Sequence, residues 1–276
     1  MGVLLGGVSS LLYGVADFIG GEASRRVPAQ AVVLGAGLVS FPLITIAGLL
    51  VGGDAVAADF ALGVVAGSVG AFGLTLLFMG LSRGHAAAVA PASAVFGAIL
   101  PVVVAVILGE RPSALAWAGM GLAIPAFVLC SWVAEPGDVA FGGLGYGLLA
   151  GLGFGTYTIV ISRTSEGSNL LPLIPARFAA MVVVLIIGLA GVWKLGTILE
   201  APKRLVGANG VLDVAGSVTL LLGLRTGSLA LVAVAASMFP AVTVMLARVL
   251  THEHLRGRQI LGLVLTLVAL GAIASG

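Results

Sequence analysis

Residues 80–110 read GLSRGHAAAVAPASAVFGAILPVVVAVILGE, and residues 223–253 read GLRTGSLALVAVAASMFPAVTVMLARVLTHE. Laid on one another, Gly80, Leu81 and Gly84 fall on Gly223, Leu224 and Gly227. Ala87, Val89, Ala90, Ala92, Phe96, Ala98 and Val106 fall on Ala230, Val232, Ala233, Ala235, Phe239, Ala241 and Val249. Glu110 falls on Glu253. A chain rich in small apolar residues repeats itself by chance, but a shared glutamate closing each apolar run is a different kind of match. The chain therefore reads as a duplication.

Outward from this stretch the correspondence continues. Gly67, Gly73 and Gly80 align with Gly210, Gly216 and Gly223, and Gly119 aligns with Gly262. YGVADFIGG at 13–21 and FGTYTIVIS at 154–162 occupy corresponding positions. The domain reading is a first repeat over 1–133, a second over 141–276 and a connection at 134–140.

Composition decides the solvent. Hydrophobic residues make up 60% of the chain and charged residues only 9%, against roughly a quarter charged in soluble proteins. Mean hydropathy is +1.22. Such a chain cannot cover its surface with polar groups and must face lipid. Its apolar runs are too long for the alternating strands of a membrane barrel, so helices are expected. The 42 glycines suit close packing of membrane helices. A net charge of +2 with basic residues scattered through connections leaves no nucleic-acid footprint. The single cysteine, Cys130, reads as a packing residue. Residues 3–21 lack a preceding basic region and read as a retained helix rather than a cleaved signal.

At about 20 apolar residues per crossing, ten spans fit: 3–21, 30–51, 60–80, 86–108, 113–133, 141–161, 171–193, 205–223, 228–250 and 257–275. The predicted fold is an all-α polytopic membrane protein, ten transmembrane helices forming two inverted five-helix repeats. Five crossings between equivalent elements would turn the second half over, a recurring basis for alternating access. Ten would put both termini on one side. With a cytoplasmic N-terminus, Arg111, Arg163 and Arg225 would lie inside. Arg25, Arg26, Arg83, Lys194, Lys203, Arg204, Arg256 and Arg258 would lie outside. That distribution opposes the positive-inside tendency and leaves orientation open.

LSRGHAAAVAPASAVFGAILPVVVAVILGERPS and its counterpart LRTGSLALVAVAASMFPAVTVMLARVLTHEHL carry a resemblance to the drug/metabolite transporter superfamily, in its EamA branch. Both combine a small-residue helix, an internal proline and an acidic residue opening the next connection. The resemblance covers essentially the whole chain. It implies a cell-membrane (inner or plasma membrane), multi-pass transporter of amino acids, nucleobases, other metabolites or toxic compounds, often an exporter, with cytoplasmic termini. The copies differ at Gly97 and Pro101 against Pro240 and Val244. Arg111-Pro112 follows Glu110, whereas His254-Leu255 follows Glu253. Tyr13 stands where many relatives carry a tryptophan. These departures prevent transfer of a substrate.

Ionisable groups inside a spanning helix are expensive and face a cavity or a partner. Asp17 reads as a proton-responsive or cation-binding carboxylate, or else as a partner of Arg25 or Arg26. Arg177 and Asp213 read as contacts for an anionic group and an amine of the solute, or else as a pair neutralising one another. Asp213 aligns with Gly70, so this carboxylate differs between the copies. Tyr13, Tyr157, Phe96 and Phe239 are candidates to line an aromatic cavity, with helix packing as the plain alternative. Glu110 and Glu253 read as structural repeat residues bonding helix amides or basic loop residues. Trp117, Trp132 and Trp193 read as interface anchors. Pro91, Pro101, Pro125, Pro172, Pro175 and Pro240 mark bends. His85, His252 and His254 have no metal-ligand spacing, and no cofactor is implied.

The functional expectation is a secondary transporter of a small amphiphilic organic solute working by alternating access. Coupling to protons would run through Asp17 or Asp213. An uncoupled exchanger or facilitator and a membrane scaffold are the alternatives. A lipid-modifying enzyme would need a Ser/His/Asp grouping or HExxH, and neither occurs. Glycine spacings such as Gly63-Gly67 and Gly147-Gly151-Gly155 suit either a homodimer contact or packing within one chain.

Overall fold

A computed structural model describes residues 1–82, 86–130, 139–190, 192–251 and 257–275. Within them lie eleven α-helices. In chain order these are α1 (Gly2–Ser24), α2 (Ala29–Val51), α3 (Ala57–Ser82), α4 (Ala86–Ile107), α5 (Ala114–Cys130) and α6 (Val139–Ser162). After them come α7 (Leu173–Leu189), α8 (Lys203–Thr226), α9 (Leu229–Ala236), α10 (Phe239–Thr251) and α11 (Gly257–Ser275). Short 3₁₀ turns precede α7 and α8.

The ten-crossing expectation is overturned. Among the described residues five helices are long and apolar enough to cross a membrane: α1, α2, α3, the stretch Gly145–Ser162 of α6, and α8. The reason is visible in the helix ends. Pro172 and Pro175 sit where the seventh span was expected to begin, and α7 has 17 residues. The ninth span is two pieces, α9 with 8 residues and α10 with 13. At 1.5 Å per residue, α9 is roughly 12 Å long, well short of a hydrocarbon layer of about 30 Å. Ser237 and Met238 separate the pieces, and Pro240, just past the break, has no N–H to continue a ladder. The inversion, which rested on five crossings between equivalent elements, and the same-side termini, which rested on ten crossings in all, lose their basis with it.

The chain is an all-α, multi-pass membrane protein. Its surface carries large apolar side chains, Leu50 at 82% and Ile107 at 77% exposure among them. Its interior holds polar ones, with Ser9, Ser93 and Ser168 fully buried. That is the arrangement lipid selects.

The most extensive helix–helix contacts all join a helix from before residue 131 to one from after residue 138. They are α4 with α6, α1 with α8, α5 with α11, and α3 with α6 and α7. Small residues make this interleaving close. A Cβ on Gly67 would strike the Ala176 backbone, and one on Gly153 would lie 2.9 Å from the Gly73 Cα. Without side chains there, α3 meets α7 and α6 backbone to backbone.

One end of the bundle is tied by charge. The Asp59 carboxylate accepts from the Ser165 backbone N–H at 3.1 Å and from the Ser165 and Ser168 hydroxyls. Arg225, in the last turn of α8, donates to the Ser165 and Glu166 carbonyls at 3.1 and 3.0 Å. Nearby, Glu110 reaches the start of α9 and accepts from the Leu229 and Ala230 amides at 2.8 and 3.1 Å and from the Ser228 hydroxyl. A carboxylate at a helix start satisfies amides that have no intrahelical partner and sits at the positive end of the dipole. Glu253, the repeat counterpart of Glu110, lies outside the described residues. So do Arg83, His85, Trp132, His252, His254, Arg256 and most of the 134–140 connection.

Candidate functional site: a polar seam inside the bundle

The site begins with spacing. In a helix, residues four apart share a face. Ser9, Tyr13 and Asp17 form one such row on α1; Asn209, Asp213 and Ser217 form another on α8. The two helices pack together, and the rows meet. Ser9 Oγ donates to the Gly216 carbonyl at 2.9 Å, and the Tyr13 hydroxyl lies 2.8 Å from Ser217 Oγ. Asn209 Nδ2 donates to the Ala16 carbonyl at 2.6 Å. Gly216 makes the approach feasible, since a Cβ there would lie 2.9 Å from the Tyr13 ring.

Arg177 enters from α7. Its Nη1 stands 2.5 Å from Asp213 Oδ2, with side chains 15% and 13% exposed. Nη2 donates to Ser217 Oγ and, at 3.3 Å, to the Asp213 carbonyl. Ser217 Oγ lies 2.8 Å from that same carbonyl, one turn back. With its proton on that carbonyl, Ser217 accepts from both Arg177 and Tyr13, which uses its full hydrogen-bonding capacity.

Asp17 is different. It is 6% exposed, and no hydrogen bond or ion pair within the described residues engages it. Arg25 and Arg26 contact Glu22 instead, at 3.7 and 3.8 Å. The Asp17 carboxylate lines a cavity of about 120 Å³, room for several waters at about 30 Å³ each. Helices from both sides of the 131–138 segment contribute to the wall.

Six of the sequence candidates line this one cavity: Tyr13, Asp17, Tyr157, Arg177, Asp213 and Phe239. Phe239 meets Phe154 edge-on, ring centres 6.2 Å apart at 88°. Phe96 is not on the wall; it packs against Gly151 of α6. The reading by residue type passed over Asn209, Ser217, Thr158 and Ser237. The first two were detectable as the four-residue companions of Asp213. Trp193, expected at an interface, is buried, its indole N–H donating to the Val184 carbonyl at 3.3 Å. Trp117 is 47% exposed. Among the described residues no three His, Cys, Asp or Glu side chains gather as a metal-ligand set.

Comparison with known proteins gives three results. A crystal structure of a protein with 19% sequence identity superposes with a TM-score of 0.73, covering 99% of this chain and 96% of that one. At that identity the likeness is one of fold. No curated protein matches the sequence. Residues 141–275, the second half, match the EamA-like transporter family. The likeness to a transporter family is thus carried by residues 141–275.

Proposed function

We propose that the protein is a secondary transporter of a small organic solute, bound in the Asp17 cavity and passed across the membrane by alternating access. One observation carries this reading: a largely apolar cavity, built by helices from before and after the 131–138 segment, contains a buried carboxylate with no partner among the described residues. An ionisable group so placed marks a solute or ion pathway far more often than a packing solution. A scaffold would be more stable with a dry apolar core.

The interrupted α9–α10 segment supports the same reading. Ser237, at the break, lines the cavity, and transporter sites recur where a helix is discontinuous. The divisions at 1–133 and 141–276 would supply the two surfaces whose packing changes as access alternates. Asp17 would carry the coupling proton, and the direction would be export, as is common in the family.

The test is reconstitution into liposomes, followed by uptake and efflux measurements for amino acids, nucleobases, amines and sugars. Saturable flux of at least one solute, lost with Asp17→Asn, is the expected outcome. Absence of flux across the whole panel, in liposomes shown to hold folded protein, would remove the transport reading.

A further inference from the structure

We infer that the solute is an organic monocation, and that its ammonium group and a proton compete for the Asp17 carboxylate. This rests on the transport reading for its biological meaning and on the charges around the cavity for its physical basis. The titratable groups facing the cavity are Tyr13 and Asp17 from α1, Tyr157 from α6, Arg177 from α7 and Asp213 from α8. The walls supplied by α3, α4, α9 and α10 add no titratable side chain. Arg177 and Asp213 cancel. Ionised Asp17 therefore leaves the cavity with one uncompensated negative charge, and a carboxylate as buried as Asp17 does not stay charged and unpaired cheaply. Either a proton or a cation must neutralise it.

The same geometry disfavours an anionic solute. Arg177 is the one cation on the cavity wall among the described residues, and both its terminal nitrogens are committed, to Asp213 and to Ser217. A carboxylate or phosphate would have to break that pair while facing Asp17. An ammonium meets an open acceptor instead. Asn209 spends one of its two amide N–H groups on the Ala16 carbonyl, and its side-chain carbonyl oxygen adds acceptor capacity to a residue on the wall. Tyr13, Tyr157 and Phe239 supply aromatic surface for the solute's apolar body and for cation–π contact. The exchange balances: a protonated Asp17 and an incoming ammonium give a carboxylate–ammonium pair and one released proton. One proton thus trades for one monocation, with no net charge moved into the site.

The experiment uses the full chain in lipid nanodiscs and calorimetric titration with phenethylammonium and tetraethylammonium. 2-Phenylethanol and 3-phenylpropionate serve as neutral and anionic controls. Buffers of different ionisation enthalpy count the protons released. At least one cation should bind with release of about one proton on the acid side, its affinity there falling about tenfold per pH unit. The controls should bind at least about tenfold more weakly, by the cost of facing an unneutralised charge. Asp17→Asn should lose the pH dependence and most of the affinity; Asp17→Glu should keep both. The inference is overturned by binding of neither cation, by a pH-independent affinity, by stronger binding of the anion, or by a folded Asp17→Asn that binds the cation as the parent does. Flux in liposomes separates the two ideas. Transport of neutral or anionic solutes without cation binding sinks this inference and leaves transport standing. Proton-competitive cation binding without flux of any solute does the reverse.

Discussion

Arg177 on α7 and Asp213 on α8 hold one another at 2.5 Å inside the bundle, and the same arginine also grips Ser217, one turn further along α8. The pair is thus a clamp between two helices as well as a neutralised charge. Removing one partner of a buried pair strands the other, at a cost of about 3 kcal/mol. Arg177→Met or Asp213→Leu alone should therefore lower the thermal unfolding temperature sharply in detergent. The double variant should recover most of the loss, and additive losses would show that the clamp carries no coupling.

Gly67 and Gly207 give a contrast within one residue type. A Cβ at Gly67 would run into the Ala176 backbone, whereas one at Gly207 meets nothing within 4 Å. Gly67→Val should not yield monodisperse protein on size exclusion. Gly207→Ala should be neutral or stabilise α8 by up to about 1 kcal/mol, since alanine is the better helix former.

Glu110, from a distant element, adds to the local Ser228 cap at the start of α9 by accepting from the Leu229 and Ala230 amides. Glu110→Ala should cost about 1–2 kcal/mol, the range for losing a cap. It should also raise hydrogen exchange at the Leu229 and Ala230 amides before it affects α8. Unchanged exchange at those two amides would show that water replaces the carboxylate without loss.

Asp59 binds the segment that leads into α7. Asp59→Ala removes an acceptor shared by the Ser165 amide and the Ser165 and Ser168 hydroxyls. Cleavage by a protease between residues 163 and 169 should become faster by several-fold, while the cavity-lining residues keep their protection. Equal cleavage rates would assign the hold on this loop to Arg225 and the Asp54 backbone.

The sequence carried the membrane class directly, because composition alone forbids a water-covered surface. It also carried six of the cavity residues, because a charged or aromatic side chain is conspicuous in an apolar helix. What was hidden had two causes. The crossing count failed where proline shortened or split a helix: a run such as 228–250 has the apolarity of a span, but apolarity does not register the stop at Ser237–Met238. The pairing of the polar rows failed to appear because period-four spacing defines a face but not the face it meets. Phe96 illustrates the same limit: its repeat partner Phe239 lines the cavity while Phe96 packs on Gly151, so equivalence in the alignment did not become equivalence in surroundings.

The hydrogen bond from Asn209 to the Ala16 carbonyl spans 193 positions of the chain, and this separation sets a timetable for biogenesis. At about 5–20 residues per second, α1 leaves the ribosome tens of seconds before α8. Through that interval Asp17 has no polar row opposite it, and the Arg177–Asp213 clamp does not yet exist. A carboxyl in lipid without company drives a helix toward the interface or toward an insertion chaperone. The first helix is therefore set in its final place late, when the eighth arrives to receive it.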